Sequence, residues 1–126
     1  MKIETIRTEK APAPVGPYNQ AVKVGGFVYS SGQIPLDPAT GQMVTGDIRA
    51  EAEMVFKNLA AVLEAAGTSL DRAVKVLVFL TDMADFGAVN EVYGRWLKQP
   101  YPARSCIAVS ALPKDARVEI ELVALA

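Results

Sequence analysis

Two segments decide the fold predicted for this chain: Pro102-Ala103-Arg104-Ser105-Cys106-Ile107 and, after a short linker, Val118-Glu119-Ile120-Glu121. Both have the pattern of strands, in which successive side chains point to opposite faces. Arg104 is the one charged side chain of the first segment, and Glu119 and Glu121 share a face of the second. A linker that folds the two strands into an antiparallel hairpin would bring the guanidinium and both carboxylates together on the face away from the core.

This arrangement has two interpretations. An arginine beside two glutamates on a sheet is commonly a solvated cross-strand ion pair, which stabilises a fold by roughly 0.2–1 kcal/mol. The same three groups are also suited to binding and proton transfer in a site. Spacing alone leaves both interpretations open.

The rest of the chain predicts strands, helix, strand, helix and strands. Period-two patterns indicate strands at residues 3–5, 21–24 and 27–31, with a turn at Gly25-Gly26 between the last two. Asp47 is a plausible N-cap for a helix that Gly67 closes, and Asp82 or Asp85 begins a second helix. Residues 74–80 are almost continuously apolar, which is typical of a strand covered on both faces.

Two helices for about six strands predict an α+β fold with both helices on one face of a mixed sheet. The other face also carries large apolar side chains, namely Leu77, Phe79, Val123 and Leu125. Because such a face is unfavourable in water, we expect it to be buried against other subunits.

Composition argues against several classes of function. The chain has 126 residues, no histidine and one cysteine, so it lacks the common ligands of zinc and redox metals and cannot form an internal disulfide. A net charge of −1 provides no basic surface for nucleic acid. No apolar run approaches the ~20 residues of a membrane span, and no signal-peptide pattern is present. We therefore expect a cytoplasmic protein with no metal, no nucleic-acid partner and no membrane association.

Motifs along nearly the whole chain resemble those of the Rid family, the YjgF-type reactive intermediate (enamine/imine) deaminases. The two segments quoted above are similar to the family's C-terminal signature. The other similar segments are Ala11-Pro12, Gly16-Pro17-Tyr18, Gln20-Ala21, Ser30-Ser31-Gly32-Gln33-Ile34-Pro35, Asn58-Leu59, Leu63-Glu64-Ala65-Ala66-Gly67, Asp85-Phe86 through Asn90 and Tyr93, and Leu112-Pro113-Lys114-Asp115. The link from Tyr93 to Pro102 is a few residues shorter than the family pattern, which leaves the shape of the pocket rim open.

The resemblance implies a single Rid-type domain over residues 1–126, with a chorismate-mutase-like α+β fold. It also implies a homotrimer around a central barrel, with sites in the clefts between subunits and no cofactor. The implied activity is that of a 2-iminobutanoate/2-iminopropanoate deaminase. Such an enzyme hydrolyses reactive enamine/imine intermediates of amino-acid dehydration to 2-keto acids and ammonia.

The resemblance also implies catalytic roles. Arg104 would anchor the carboxylate of a 2-imino acid, through charge-assisted hydrogen bonds of about 1.5–3 kcal/mol each. Glu119 would hold the attacking water or carry its proton. Glu121 shares the face of Glu119, and spacing cannot separate the two.

Three further residues are candidates for substrate binding. Tyr18 and Ser31 match family positions that line the cleft, although both are also ordinary polar residues of a loop and a strand end. Cys106 matches a position whose backbone N–H binds the substrate carboxylate, while a buried cysteine is otherwise a small apolar group.

Two other functions stay open at this point. The same cleft could hold a 2-keto acid or another small carboxylate in a non-catalytic regulatory module, which would need Arg104 but not Glu119. Ribonuclease activity has also been attached to this family, and the acidic charge and the lack of histidine argue against it here.

Overall fold

The computed structural model describes all residues from 1 to 126. Six strands and two helices follow one another along the chain. They are β1 (Glu4–Ile6), β2 (Ala21–Val24), β3 (Phe27–Ser30), α1 (Ile48–Ala65), β4 (Ala73–Leu80), α2 (Phe86–Trp96), β5 (Ala103–Ala108) and β6 (Val118–Leu125). Short 3₁₀ turns occupy Leu70–Arg72, Met83–Asp85 and Pro113–Asp115. The predicted succession of elements is confirmed.

All six strands form one mixed sheet in the order β1-β2-β3-β6-β4-β5. Only β4 and β5 are parallel, and every other pair is antiparallel. The predicted turn joins β2 to β3, where Gly25 and Gly26 have φ of 60° and 84°. Two successive residues with positive φ match the twist of a tight hairpin and strongly favour glycine.

The predicted hairpin between β5 and β6 is wrong. In the sheet β4 lies between these strands, antiparallel to β6 and parallel to β5. The reason is the helix α2 between β4 and β5, because a strand–helix–strand unit returns the chain beside its first strand in the same direction. β5 is thereby left at an edge, and β6 fills the middle of the sheet.

The first helix begins and ends as the sequence predicts. The Asp47 side chain accepts a hydrogen bond of 3.0 Å from the backbone N–H of Arg49, and Gly67, with φ of 80°, follows the C-cap residue Ala66. At the start of the second helix, each of the two predicted aspartates lies at the N-terminus of a helical segment. Asp82 caps the preceding 3₁₀ turn, and Asp85 is the N-cap residue of α2 without a side-chain hydrogen bond.

Both helices pack on one face of the sheet and bury one apolar core with it, as predicted. Along β4 the side chains of Val76, Val78 and Leu80 are buried in this core. The alternate residues Leu77 and Phe79 lie on the other face and are half-buried within one chain, so the predicted cover of β4 on this face would have to come from other subunits and stays a prediction. No helix in the chain has the length and apolar character needed to cross a membrane.

The uncovered face of the sheet is broadly apolar. Phe27, Tyr29 and Ile107 are exposed by 36%, 43% and 47%. Phe27 and Tyr29 pair with Leu125 and Val123, and Ile107 pairs with Phe79. This face is open to solvent in the single chain. Its burial against further copies of the chain stays a prediction.

Candidate active site

Arg104 lies on the helix side of the edge strand β5, against one side of α2. Its Cζ lies 4.6 Å from the centre of the Tyr93 ring and 5.4 Å from the centre of the Phe86 ring. Its Nη1 donates a hydrogen bond of 2.7 Å to Oδ1 of Asn90. Phe86, Asn90 and Tyr93 are three, four and seven residues apart on the helix, so they form one surface that holds the guanidinium.

No carboxylate lies within ion-pair distance of Arg104. The three ion pairs of the chain are Arg49–Glu91, Arg95–Glu53 and Arg117–Glu51. Asn90 is a neutral acceptor and uses a single donor of the five that a guanidinium carries. Arg104 is therefore held in position while its charge and most of its donors stay free for an anion.

The guanidinium borders a shallow depression of about 520 Å³. Its lining consists of Asn90, Tyr93, Gly94, Tyr101, Pro102 and Arg104. The short link between α2 and β5 supplies Tyr101, which is 56% exposed at the rim. The depression is large enough for a small organic acid and is open to solvent.

A second cavity, of about 460 Å³, brings together three other candidate residues. Tyr18, Ser31 and Glu119 all line it, with Lys114 from the turn before β6 and apolar side chains that include Val15 and Ile34. A phenol, a hydroxyl and a carboxyl in one partly apolar cavity are groups able to hold water and move a proton.

Buried Gln20 builds the wall of this cavity. Its Nε2 donates to the carbonyls of Thr8, Ala11 and Pro12 at 2.9–3.2 Å, and its Oε1 accepts from the backbone N–H of Thr8. The backbone carbonyl of Gln20 accepts from the N–H of Ser31. Gln20 thus ties the N-terminal loop, through its side chain, to the end of β3, through its backbone, which explains why distant segments meet at the cavity.

Glu119 is half-buried, and no cation pairs with it. Burial raises the pKa of its carboxyl above the ordinary range, and the nearby charge of Glu121 raises this pKa further. Glu121 lines none of the cavities. Of the two glutamates, Glu119 therefore has both the access and the electrostatic environment of a group that exchanges a proton.

Cys106 lies two residues beyond Arg104 on the same side of β5. Burial raises the pKa of its thiol, and the opposing effect of the Arg104 charge is smaller. A thiol with a raised pKa is protonated at neutral pH and is a poor nucleophile. The side chain lines none of the cavities, so its environment is that of a small apolar group.

The candidate residues do not form one site within a single chain. Across the sheet Arg104 pairs with Val76, on the helix side, whereas Glu119 pairs with Phe79, on the uncovered side. The predicted meeting of Arg104 with Glu119 and Glu121 on one face is therefore wrong. Strand β4 lies between β5 and β6, and the side chain of Arg104 points to the face of the sheet opposite to that of the two glutamates.

Sequence reasoning missed part of the Arg104 environment. Neither Asn90 nor Tyr93 is among the candidate site residues named from the sequence. Tyr93 packs in the core, and its ring also lies under the guanidinium. The spacing of Phe86, Asn90 and Tyr93 along one helix face was the signal that could have revealed this surface. The side chains contain no cluster of three or more histidine, cysteine, aspartate or glutamate residues able to hold a metal ion.

Taken together, these observations define an α+β protein with two cavities that are candidate sites for a small molecule. Residues 8–126 match the model of the family described as Endoribonuclease L-PSP. The chain belongs to this family, which includes the YjgF and Rid proteins.

Three relatives are similar over nearly the whole chain. A RutC family protein of Pyrococcus abyssi is 51% identical over 124 residues, covering 98% of each chain. A protein of Dermatophagoides farinae named 2-iminobutanoate/2-iminopropanoate deaminase is 51% identical, over 92% of this chain and 91% of its own. A mouse protein of the same name is 48% identical, over 97% of this chain and 90% of its own.

Solved structures show the same fold. RidA from the Antarctic bacterium Psychrobacter superposes with a TM-score of 0.94 at 52% identity, covering 98% of this chain and 99% of its own. TdcF of E. coli, whose structure was solved with bound serine, superposes with a TM-score of 0.92 at 41% identity, covering 98% of both chains.

Proposed function

We propose that this protein is a homotrimeric 2-iminobutanoate/2-iminopropanoate deaminase. It hydrolyses reactive 2-imino acids, and the enamines in equilibrium with them, to 2-keto acids and ammonia. One observation carries the proposal: Arg104 is fixed by Asn90 and two aromatic rings but has no carboxylate partner. The names of the mite and mouse relatives support the same activity.

Arg104 supplies binding and orientation. Its planar fork of donors matches a carboxylate in a bidentate fashion, and each charge-assisted hydrogen bond contributes about 1.5–3 kcal/mol. The serine bound to the relative TdcF also carries an α-carboxylate. In this proposal the backbone N–H of Cys106 assists Arg104, and its thiol takes no part.

Glu119 supplies the proton transfer. The water oxygen attacks the imine carbon, and the carboxylate accepts the proton that the water loses. The protonated carboxyl gives this proton to the nitrogen, which yields a carbinolamine. The carboxylate then takes the proton of the carbinolamine hydroxyl and passes it to the nitrogen, so the carbon–nitrogen bond breaks, ammonia leaves and the carbon–oxygen double bond forms. A carboxyl whose pKa is raised is suited to both directions of this transfer. Tyr18 and Ser31 hold the water or the imine nitrogen by hydrogen bonds.

A complete site requires two copies of the chain. Arg104 and Glu119 lie on opposite faces of the sheet, so one small substrate cannot reach both within one copy. The open apolar face supplies a surface on which copies associate. We propose that Arg104 of one subunit and the Glu119 cavity of its neighbour form each cleft of a trimer. Light scattering that shows a monomer at working concentration would contradict this.

Hydrolysis of a 2-imino acid generated in place tests the proposed activity. An amino-acid oxidase supplies the imine, and semicarbazide traps what escapes hydrolysis. Wild-type protein is expected to suppress the trapped product, and Arg104→Ala is expected to have lost this effect. Arg49→Ala serves as a matched control, because Arg49 is an exposed arginine that pairs with Glu91 and lines neither cavity. Equal suppression by wild type and Arg104→Ala would sink the proposed role of Arg104.

A second function is supported by the groups that hold Arg104, because Phe86, Asn90 and Tyr93 all come from the same chain as the arginine. Such an arrangement is able to bind a 2-keto acid or another small carboxylate without Glu119, as in a regulatory binding module. The substitution Glu119→Gln separates the two functions. Ligand binding survives it in either case, and imine hydrolysis slows only if the protein is an enzyme.

A further inference from the structure

Gly32 lies in direct contact with the carboxyl group of Glu119. A Cβ atom at residue 32 would overlap Oε2 of Glu119 and would lie 2.8 Å from its Cδ and 3.0 Å from its Cγ. Separations this short essentially never occur between a Cβ and another heavy atom. The Glu119 side chain therefore occupies the space that any side chain at residue 32 would need.

The backbone conformation does not explain the glycine. The glycines with positive φ are Gly25, Gly26, Gly41, Gly46 and Gly67, and Gly32 is not among them. The φ of residue 32 therefore lies outside the left-handed region in which a residue with a Cβ is strained. What glycine provides here is the close approach of another group to its Cα.

The backbone around Gly32 is fixed on both sides. The N–H of Ser31 donates to the carbonyl of Gln20 at 2.9 Å. The backbones of Gln33 and Ile120 exchange two hydrogen bonds, of 2.9 and 3.1 Å. Ile120 directly follows Glu119, so these bonds also fix the distance between Gly32 and the glutamate. A Cβ at residue 32 would therefore displace the flexible carboxyl rather than the backbone.

We propose that Gly32 is a positioning residue. Because it has no side chain, it leaves the space in which the Glu119 carboxyl lies, in the cavity with Tyr18 and Ser31. Its effect on catalysis rests on the function proposed above, but the placement of the carboxyl does not. No other glycine contacts Glu119 or Glu121 in this way. The contact selects Glu119 of the two glutamates that the sequence could not separate.

The placement can be tested without any activity. In protein with ¹³C-labelled glutamate carboxyl groups, Glu119→Gln identifies the Glu119 signal. Gly32→Ala is expected to lower the titration midpoint of that signal toward the ordinary glutamate range, because a displaced carboxyl gains solvent. Gly87→Ala, which places a Cβ in open space on α2, leaves it unchanged. An unchanged midpoint in Gly32→Ala overturns the proposal.

A stability cycle covers the case in which Gly32→Ala unfolds the protein. Glu119→Ala removes the atoms that the new Cβ would meet, so Gly32→Ala in that background is expected to unfold at the same denaturant concentration as Glu119→Ala alone. Equal destabilisation in both backgrounds would show that the Cβ clashes with other groups, and Gly32 would have no specific relation to Glu119.

A kinetic cycle tests the consequence for catalysis. Gly32→Ala is expected to lower kcat for imine hydrolysis by about 10- to 100-fold and to leave KM within about twofold, because substrate anchoring belongs to Arg104. In the Glu119→Gln background the same substitution is expected to have no further effect. An equal loss in both backgrounds contradicts the proposal. Absence of hydrolysis in wild type defeats the proposed function instead, and the titration of Glu119 still decides the role of Gly32.

Discussion

Arg104 and Arg117 carry the same guanidinium group in opposite surroundings. Arg117 donates from Nε and Nη2 to one oxygen of Glu51, at 3.0 and 2.6 Å, and Glu51 is almost completely buried. This hydrogen bond raises the pKa of Arg117 and ties the start of β6 to the first turn of α1. Arg104 has a neutral amide and two aromatic rings as neighbours. Removal of Arg117 would leave a buried carboxylate without its cation, whereas Arg104 is held by uncharged groups and has most of its donors free.

The largest effect predicted from this comparison concerns stability. Arg117→Met leaves the buried carboxylate of Glu51 without its cation, so we expect the free energy of unfolding to fall by about 3 kcal/mol. This is the low end of the range for a broken buried pair, because the Arg117 side chain still reaches solvent. Denaturant unfolding of the variant measures the loss.

The matched change at the other arginine should behave differently. Arg104→Met removes no partner from a buried charge, so a loss of less than about 1 kcal/mol is expected. Glu51→Gln in the Arg117→Met background should restore part of the lost stability. Equal destabilisation by Arg104→Met and Arg117→Met would remove the distinction between the two arginines.

The next effect is predicted for a change that makes Arg104 resemble Arg117. Asn90→Asp puts a carboxylate where the neutral acceptor stands, and this carboxylate competes with the substrate for the guanidinium. We expect KM for a 2-imino acid to rise about tenfold, which corresponds to about 1.4 kcal/mol, with little change in kcat. Steady-state kinetics measure both constants.

Gln42→Glu is the control for Asn90→Asp. It converts an amide to a carboxylate on an exposed loop and adds the same charge away from Arg104. An equal rise of KM in both variants would mean that overall charge matters and the neutrality of Asn90 does not. In that case the absence of a carboxylate partner at Arg104 would not explain substrate binding.

The smallest effect is predicted for the pH dependence of stability at Glu119, a carboxyl that, unlike Glu51, has no cation partner. The folded protein raises the pKa of Glu119 above its value in the unfolded chain, so the ionised form disfavours folding. The contribution of Glu119 to stability is therefore greatest at low pH, where the carboxyl is protonated, and this contribution is lost as the pH rises through the pKa of the folded state. Glu119→Gln should match wild type near pH 3 and exceed it at pH 8, by less than about 1 kcal/mol because the group is half-exposed. Unfolding curves at the two pH values that show the opposite order would contradict the raised pKa.

The sequence predicted the fold well where local patterns decide the structure. Asp47, Gly25-Gly26 and Gly67 mark ends and turns whose chemistry is local, and all three predictions are confirmed. The pairing of β5 was wrong because it depends on the non-local choice between β4 and β6. Period-two alternation correctly put Arg104 and Cys106 on one side of their strand, but it could not show which side of the sheet that would be.

The candidate site divides in the same way. Tyr18, Ser31 and Glu119 come together in one cavity, yet the buried amide of Gln20 that assembles it is visible only in three dimensions. The surface under Arg104 was missed because its aromatic residues also serve the core, and a core pattern conceals a second role. The contact of Gly32 with Glu119 joins residues 87 positions apart in the chain, and no pattern of either segment indicates it.

The central claim is that each site combines Arg104 of one copy with Glu119 of another. The most direct test is to coexpress Arg104→Ala and Glu119→Gln subunits in equal amounts, verify mixed oligomers by native mass spectrometry, and measure imine hydrolysis. Each variant alone is expected to be inactive. In random mixtures a cleft has an even chance of an intact arginine and an even chance of an intact glutamate, so about a quarter of wild-type activity should return. Mixed oligomers with no more activity than the two parent variants would contradict the shared site.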